Sequence, residues 1–311
     1  MLTPNQNAME SGESSDMPGG QLDFPPVPNG IDYLVGVVNH LTADKVGPRE
    51  LKYAVLHLHA AAEVLLKARL QQEHWSLVFD DPRKATRRAF ESGNFQSCGI
   101  TDTVTRLNEI ARVTLTATDQ KALKSLGRDR NALQHYGLTH NARAVEARAG
   151  QVLDFLVRFL DDELQPQLSD DAVKWVRQDM LGKVRKGLRN IRAYRTERRK
   201  RLLDTLKDVG HRTLECQECG ELALIARDRC HFCNYPFGSQ APEEAADLYM
   251  SYRHFEPQEL ISDCPRCTRR TMAQEVVTAA SADPVDFCFN CDTPIPSTEI
   301  GEPTARPQGR P

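Results

Sequence analysis

Eight of the nine cysteines stand in four C-x2-C pairs: Cys216/Cys219, Cys230/Cys233, Cys264/Cys267 and Cys288/Cys291. A two-residue gap lets two thiolates face one point from a tight knuckle, and two knuckles complete a tetrahedron around zinc at Zn–S distances of about 2.3 Å. The pairs fall into two sets, with 10 residues between knuckles in the first and 20 in the second. Gly220 and Asn234 directly follow knuckles, where a left-handed residue is often required. The inserts suit short hairpins, over 222–226 in the first set and 272–278 in the second. Four thiolates per set leave no open coordination position. The expected cofactors are therefore two structural Zn2+, with no catalytic metal.

Disulfide pairing is the competing reading. Residues 1–20 are polar and acidic and lack the apolar stretch of a secretory leader, so a cytoplasmic location is expected, where thiols stay reduced. The two sets resemble zinc ribbons, over residues 214–237 and 262–295, a fold that binds DNA, RNA or protein. Cys98 has no partner and reads as a buried apolar thiol.

Ahead of the cysteines the chain reads as helices. At 311 residues it has room for two or three domains. No run approaches the ~18 uninterrupted apolar residues of a membrane span, so no membrane partner is expected. Residues 1–28 are rich in Gly, Ser, Pro and Asn and read as a disordered leader. Helical patterning begins near Ile31. After Pro48, a first-turn proline, Leu51, Val55, Leu58, Ala62 and Leu65 share one face. Weaker patterns cover residues 83–91 and 101–115. A further helix starts near Thr118 as cap and ends near Gly137. Asn141 caps the next, striped by Val145, Ala149, Val152, Leu153, Leu156, Leu160 and Leu164. Short connections favour an antiparallel bundle, so the expected fold class is mainly α.

The chain carries a net charge of −3, yet residues 174–207 hold thirteen Lys and Arg against three acids. Such a block suggests a localised polyanion contact. Arg189, Arg192, Arg195 and Arg199 recur every three or four residues and place cations on one helix face. Trp175 and Tyr194 are too few for a base-stacking platform. The segment reads either as a phosphate-tracking helix or as a solvated spacer. Gly182 and Gly187 weaken its middle.

Arg130-Asn131-Ala132-Leu133-Gln134-His135 has the form R-N-x3-H. Arg69 and His74 match the looser R-x4-H spacing and read as a solvated helix-end pair. Arg130 and His135 alone have an Asn, Asp or His directly after the arginine. On these residues, together with the long helix Ala60-Ala61-Ala62-Glu63-Val64-Leu65-Leu66-Lys67-Ala68, residues 29–165 resemble the HEPN family of four-to-five-helix ribonucleases and toxins. The resemblance implies RNA cleavage without metal, an active site across a homodimer interface, and catalytic roles for Arg130, Asn131 and His135. It implies RNA as substrate and leaves room for a regulatory protein partner. Some family toxins continue the motif as H-x-Y; here Tyr136 and Gly137 follow His135.

The chemistry agrees with the residue types. The RNA 2′-OH is an internal nucleophile that needs a base of near-neutral pKa, which imidazole supplies. A guanidinium can clamp the charge that builds on the phosphorane. Five positions at 100° each place Arg130 and His135 about 140° apart on a helix, so a second subunit would have to complete the site. The alternative is that Arg130 is a surface ion-pair residue and His135 a cation at a helix C-terminus. Glu63 reads as an inter-helix ion-pair residue or an active-site polar group. His57 and His59 have no spacing that assigns them a role.

The expected organisation is a leader (1–28), a HEPN-like bundle (29–168), a basic helical connector (169–210), two zinc ribbons (211–238 and 239–297) and a disordered tail (298–311). The leading functional expectation is an endoribonuclease of toxin or antiviral-defence type. The alternative is a non-catalytic nucleic-acid or protein binding module that uses the ribbons, with the bundle as dimerisation domain. A DNA-binding regulator would need an element that reads base edges, and no helix-turn-helix pattern is evident.

Overall fold

The computed structural model describes residues 25–137, 139–167, 181–238, 240–253 and 256–296. The expectations placed on residues 1–24 and 298–311, and on Trp175, lie outside the described residues.

The architecture is mainly helical, with a small β region at its C-terminal end. Helix α1 (Pro26–Leu41) starts inside the stretch read as leader, on a proline whose missing N–H is no loss at a first turn. Its stripe Val27, Ile31, Leu34, Val37, Val38 and Leu41 is buried. Helix α2 (Pro48–Glu73) runs back antiparallel to it. Residue 30 lies against 65, 36 against 57 and 40 against 53. The Glu50 carboxylate accepts from the Gly47 N–H at 3.0 Å and closes the first turn of α2. Ala54, Ala61, Ala62 and Ala68 join Val55, Leu58, Leu65, Leu66 and Leu70 in the buried set. These buried residues wrap about half of the helix, so α2 is the central helix that its neighbours pack around.

A short helix, α3 (Arg87–Ser92), and α4 (Ile100–Glu109) follow. The loop before α3 is held by the Arg106 guanidinium, which donates to the carbonyls of Leu77 at 2.7 Å and Asp80 at 2.8 Å. Helix α5 (Ala117–His135) is capped by Thr116, two residues before the residue expected from sequence; the Thr116 hydroxyl accepts from the Asp119 N–H at 3.1 Å. Helix α6 (Ala142–Phe159) is capped by Asn141, whose Oδ1 accepts from Arg143 N–H at 2.9 Å. All seven residues of its sequence-derived stripe are buried.

The basic segment is built into the bundle. Helix α7 (Gly182–Leu188) crosses α1, and a Cβ on Gly187 would stand 2.0 Å from Val38 Cγ1. Helix α8 (Arg192–Leu206) lies along α6, and a Cβ on Gly150 would stand 2.6 Å from the Ala193 carbonyl carbon. Tyr194 and Leu202 are buried at this seam.

Strands β1 (Thr213–Glu215) and β2 (Leu222–Ile225) form an antiparallel hairpin. After α9 (Pro242–Ser251) comes an antiparallel sheet in sequence order: β3 (Ile261–Asp263), β4 (Arg270–Val276), β5 (Val285–Cys288) and β6 (Thr293–Ile295). The hairpin and the sheet are joined. Glu215 N–H donates to Val277 O and Ala279 N–H to Thr213 O, at 3.0 and 2.8 Å. Phe237, Tyr249 and Phe289 share one aromatic cluster, with centroids 5.4 to 6.3 Å apart. Buried apolar side chains form one continuous cluster from Val27 to Phe289, and a second small one surrounds Met272 and Ile295.

Candidate metal centres and the polar cluster of the bundle

The eight paired cysteines form two groups, Cys216/Cys219/Cys230/Cys233 and Cys264/Cys267/Cys288/Cys291. Within each, all four sulfurs lie within 4.8 Å of one another, and two members are buried. Sulfur–sulfur separations are 3.7 Å for Cys216–Cys233, Cys219–Cys230 and Cys267–Cys288, and 3.9 Å for Cys264–Cys291. A tetrahedron with metal–sulfur bonds of about 2.3 Å has edges of about 3.8 Å, so the donor sets fit a four-coordinate metal ion. Disulfides need about 2 Å between sulfurs, and the described cysteines are free.

All four knuckles have the same backbone. The residue after the second cysteine is left-handed: Gly220, Asn234, Thr268 and Asp292, with φ between 57° and 69°. Its N–H returns to the carbonyl of the first cysteine, at 2.7 Å for Gly220 and 2.8 Å for the other three. In the second group the buried Thr271 hydroxyl lies 3.2 Å from Cys288 Sγ, a polar contact next to a ligand.

Residues on and just after the knuckles of the first group reach the helices. Arg189 donates to the backbone carbonyl of Glu218 and, at 2.8 Å, to its carboxylate. Glu221, 6% exposed, accepts from Arg195 at 2.7 Å and Arg199 at 2.6 Å. Arg198 donates to His231 O at 2.6 Å, and Asn234 Nδ2 to Asp161 Oδ2 at 3.2 Å. Three of the four arginines read as a phosphate-tracking face thus hold carboxylates of this chain, while Arg192 stands in solvent. Behind them, buried Asp154 accepts from Arg158, Arg198 and Arg201. Burial pushes the Asp154 carboxyl up, but the hydrogen bond from Arg201 and the three positive charges outweigh it and hold its pKa below the ordinary value. Burial raises the pKa of Asp161, against the charge of Arg185.

On the bundle, Arg130 is half-buried, and Asn131 and His135 are exposed. Arg130 Nη1 donates to Asn131 Oδ1 at 2.8 Å. Asp129, buried, pairs with Arg148 of α6 at 2.7 Å, which fixes the roll of α5. His135 occupies the last helical position, beside the exposed Tyr136. Helix α5 runs unbroken through both residues, so Arg130 and His135 diverge as helical geometry requires, and one chain does not bring them together. The charge of Arg130 reaches His59 of α2, which shares a helix face with Glu63 and Lys67. Glu63 Oε1 accepts from Lys67 at 2.6 Å, and Glu63 Oε2 is 3.8 Å from His59 Nδ1. Sequence spacing gave His59 no role, although His59, Glu63 and Lys67 recur every four residues, the period that places them on one helix face.

Arg69 is buried, pairing with Glu73 at 2.6 Å and approaching Glu163 at 3.6 Å, so it ties α2 to the turn after α6 and is no solvated end pair. Cys98 is fully buried, with Thr103 Oγ1 3.3 Å from its sulfur. No helix among the described residues is long and apolar enough to cross a membrane. No family model, curated protein or solved structure matches the chain.

Proposed function

We propose that the helical bundle is an endoribonuclease of the HEPN kind, acting in toxin or antiviral defence, and that zinc fills both four-cysteine sets. Each set spends all four positions on thiolates, so zinc there would be structural and would supply folding energy rather than chemistry. RNA cleavage would fall to side chains: His135 as general acid/base, Arg130 as clamp on the phosphate, Asn131 as its orienting neighbour, and Glu63 as a polar member of the site. The observation that carries this reading is the presentation of Arg130, Asn131 and His135 on the last two turns of α5, with Arg130 near enough to His59 of α2 for its charge to act on that imidazole. Because Arg130 and His135 diverge, a homodimer would have to bring one chain's histidine to the other's arginine. The cysteine modules and α8 would contact RNA or a regulatory protein partner. Phosphates at α8 would meet Arg192 directly and compete with Glu218 and Glu221 for the other three.

The test is incubation of the full chain with RNA, and with DNA of the same sequence, in EDTA at a level that metal analysis shows to leave the thiolate sites loaded. RNA should be cut to 2′,3′-cyclic phosphate and 5′-OH ends, and DNA, lacking the 2′-OH, should stay intact. His135→Ala should reduce turnover about 10²–10⁴-fold while RNA binding persists. Arg130→Lys should also cut poorly, because a point charge does not replace the guanidinium fork. Undiminished cleavage by His135→Ala would place the chemistry elsewhere. The second reading, a binding module with the bundle as dimerisation domain, is favoured by the bond that already occupies Arg130 on Asn131. RNA binding by wild type without turnover would select it.

A further inference from the structure

Attack by a 2′-hydroxyl needs a base for the hydroxyl proton and an acid for the leaving oxygen. The R-N-x3-H motif supplies one imidazole per chain; α2 brings another. His59 has only 13% of its side chain exposed. Its Nε2 lies 3.8 Å from where a Cβ on Gly127 would stand, one turn before Arg130 on α5. Glycine there places no side chain against this nitrogen. On the other side of the ring Nδ1 faces the Glu63 carboxylate. A carboxylate beside one ring nitrogen favours the proton on that nitrogen and leaves the lone pair on the other, here Nε2. The carboxylate is itself fixed by Lys67, whose ammonium also donates to Ser97 Oγ at 2.8 Å. Burial lowers the His59 pKa; Glu63 opposes this, and the charges of Arg130 and Lys67 reinforce it. The lowered pKa favours the neutral ring, the form that a base needs. His135 of the same chain lies eight residues beyond Gly127, about 12 Å along the helix, too far to act on the same phosphate.

We propose that His59 is the general base of this site, taking the 2′-hydroxyl proton at Nε2, with Glu63 as its positioning residue and His135 of a second copy as the acid. This rests on the ribonuclease reading above. The 2′-oxygen forms a bond to phosphorus and its proton passes to Nε2 of His59. The P–O5′ bond breaks with its electron pair on O5′, which takes the proton of the His135 imidazolium. Arg130 and Lys67, whose charges already act on His59, would offset the charge on the phosphorane.

The pH dependence of single-turnover RNA cleavage by the full chain decides it. Wild type should give a bell-shaped profile. His59→Asn should lose the acidic limb and fall about 10²–10⁴-fold in rate, with RNA affinity kept. Glu63→Gln removes the charge that raises the His59 pKa, so its acidic limb should move to lower pH, a shift that a purely structural role would not produce. If His59→Asn does not fold, as judged by its helical melt, the Glu63→Gln limb carries the decision. Cleavage by wild type with an unchanged profile in either folded variant overturns this inference and leaves the ribonuclease reading standing. Absence of cleavage by wild type overturns both.

Discussion

Asp154 holds three guanidiniums on one carboxylate, and at least one of them, Arg198, is itself buried. Asp154→Ala would leave that charge uncompensated, and removing one partner of a buried pair costs about 3–5 kcal/mol. The carboxyl is held below its ordinary pKa, so the stability it contributes is present above the unfolded value, near 4, and is lost as pH falls through the folded one. Asp161 has the opposite sign. Burial raises its pKa, so its contribution grows as pH falls and the carboxyl takes a proton. Thermal melts from about pH 6 to about pH 3 should therefore decline less steeply for Asp154→Ala than for wild type, and more steeply for Asp161→Asn. Parallel pH curves for all three proteins would contradict the assignment.

Two glycines set how closely the helices approach, and they differ in what opposes a side chain. At Gly150 an added methyl meets the Ala193 backbone, with its carbonyl carbon at 2.6 Å and oxygen at 2.8 Å, so α6 and α8 would have to part. Overpacking of this kind costs about 1–3 kcal/mol. At Gly187 the first atom met is a Val38 methyl, which a rotamer change can move, and alanine in a helix returns up to about 1 kcal/mol. Gly150→Ala should therefore lower the urea midpoint clearly and Gly187→Ala much less, with m unchanged in both. The reverse order would show that α8 does not press on α6 as described.

At the scale of the molecule, the first four-cysteine group anchors the basic helix to the β region. Glu218 and His231 lie inside its knuckles, Glu221 and Asn234 just beyond them, and they meet Arg189, Arg198, Arg195, Arg199 and Asp161. Metal analysis should find two zinc ions per chain. Cys216→Ser should lose one ion and, because knuckle geometry depends on the metal, raise amide hydrogen exchange across α8. Cys288→Ser should lose the other ion and leave α8 protected. Unaltered exchange of α8 in Cys216→Ser would mean that the ion pairs hold without the metal. Under the proposed ribonuclease activity, light scattering should give a homodimer for the full chain, because Arg130 and His135 diverge within one copy and a second copy must complete the site.

The sequence alone determined what depends on neighbours along the chain. The C-x2-C spacing determined which thiolates meet, because a knuckle is local geometry; periodicity determined the α6 stripe; and 100° per residue determined that Arg130 and His135 diverge. Tertiary structure decided the rest, because those partners come from distant stretches. The cationic stripe of Arg189, Arg195 and Arg199 carried no sign that Glu218 and Glu221 would be folded against it, some 20 to 30 residues later. Gly187, which weakens a helix by propensity, serves a close crossing that exists only once α1 is in place. The two cysteine modules, separate in sequence, share an aromatic core because β1 is bonded to the residues after β4. Arg130 gained its neighbour His59 the same way: the two lie more than 60 residues apart and meet only because the bundle buries the apolar stripes of α2 and α5.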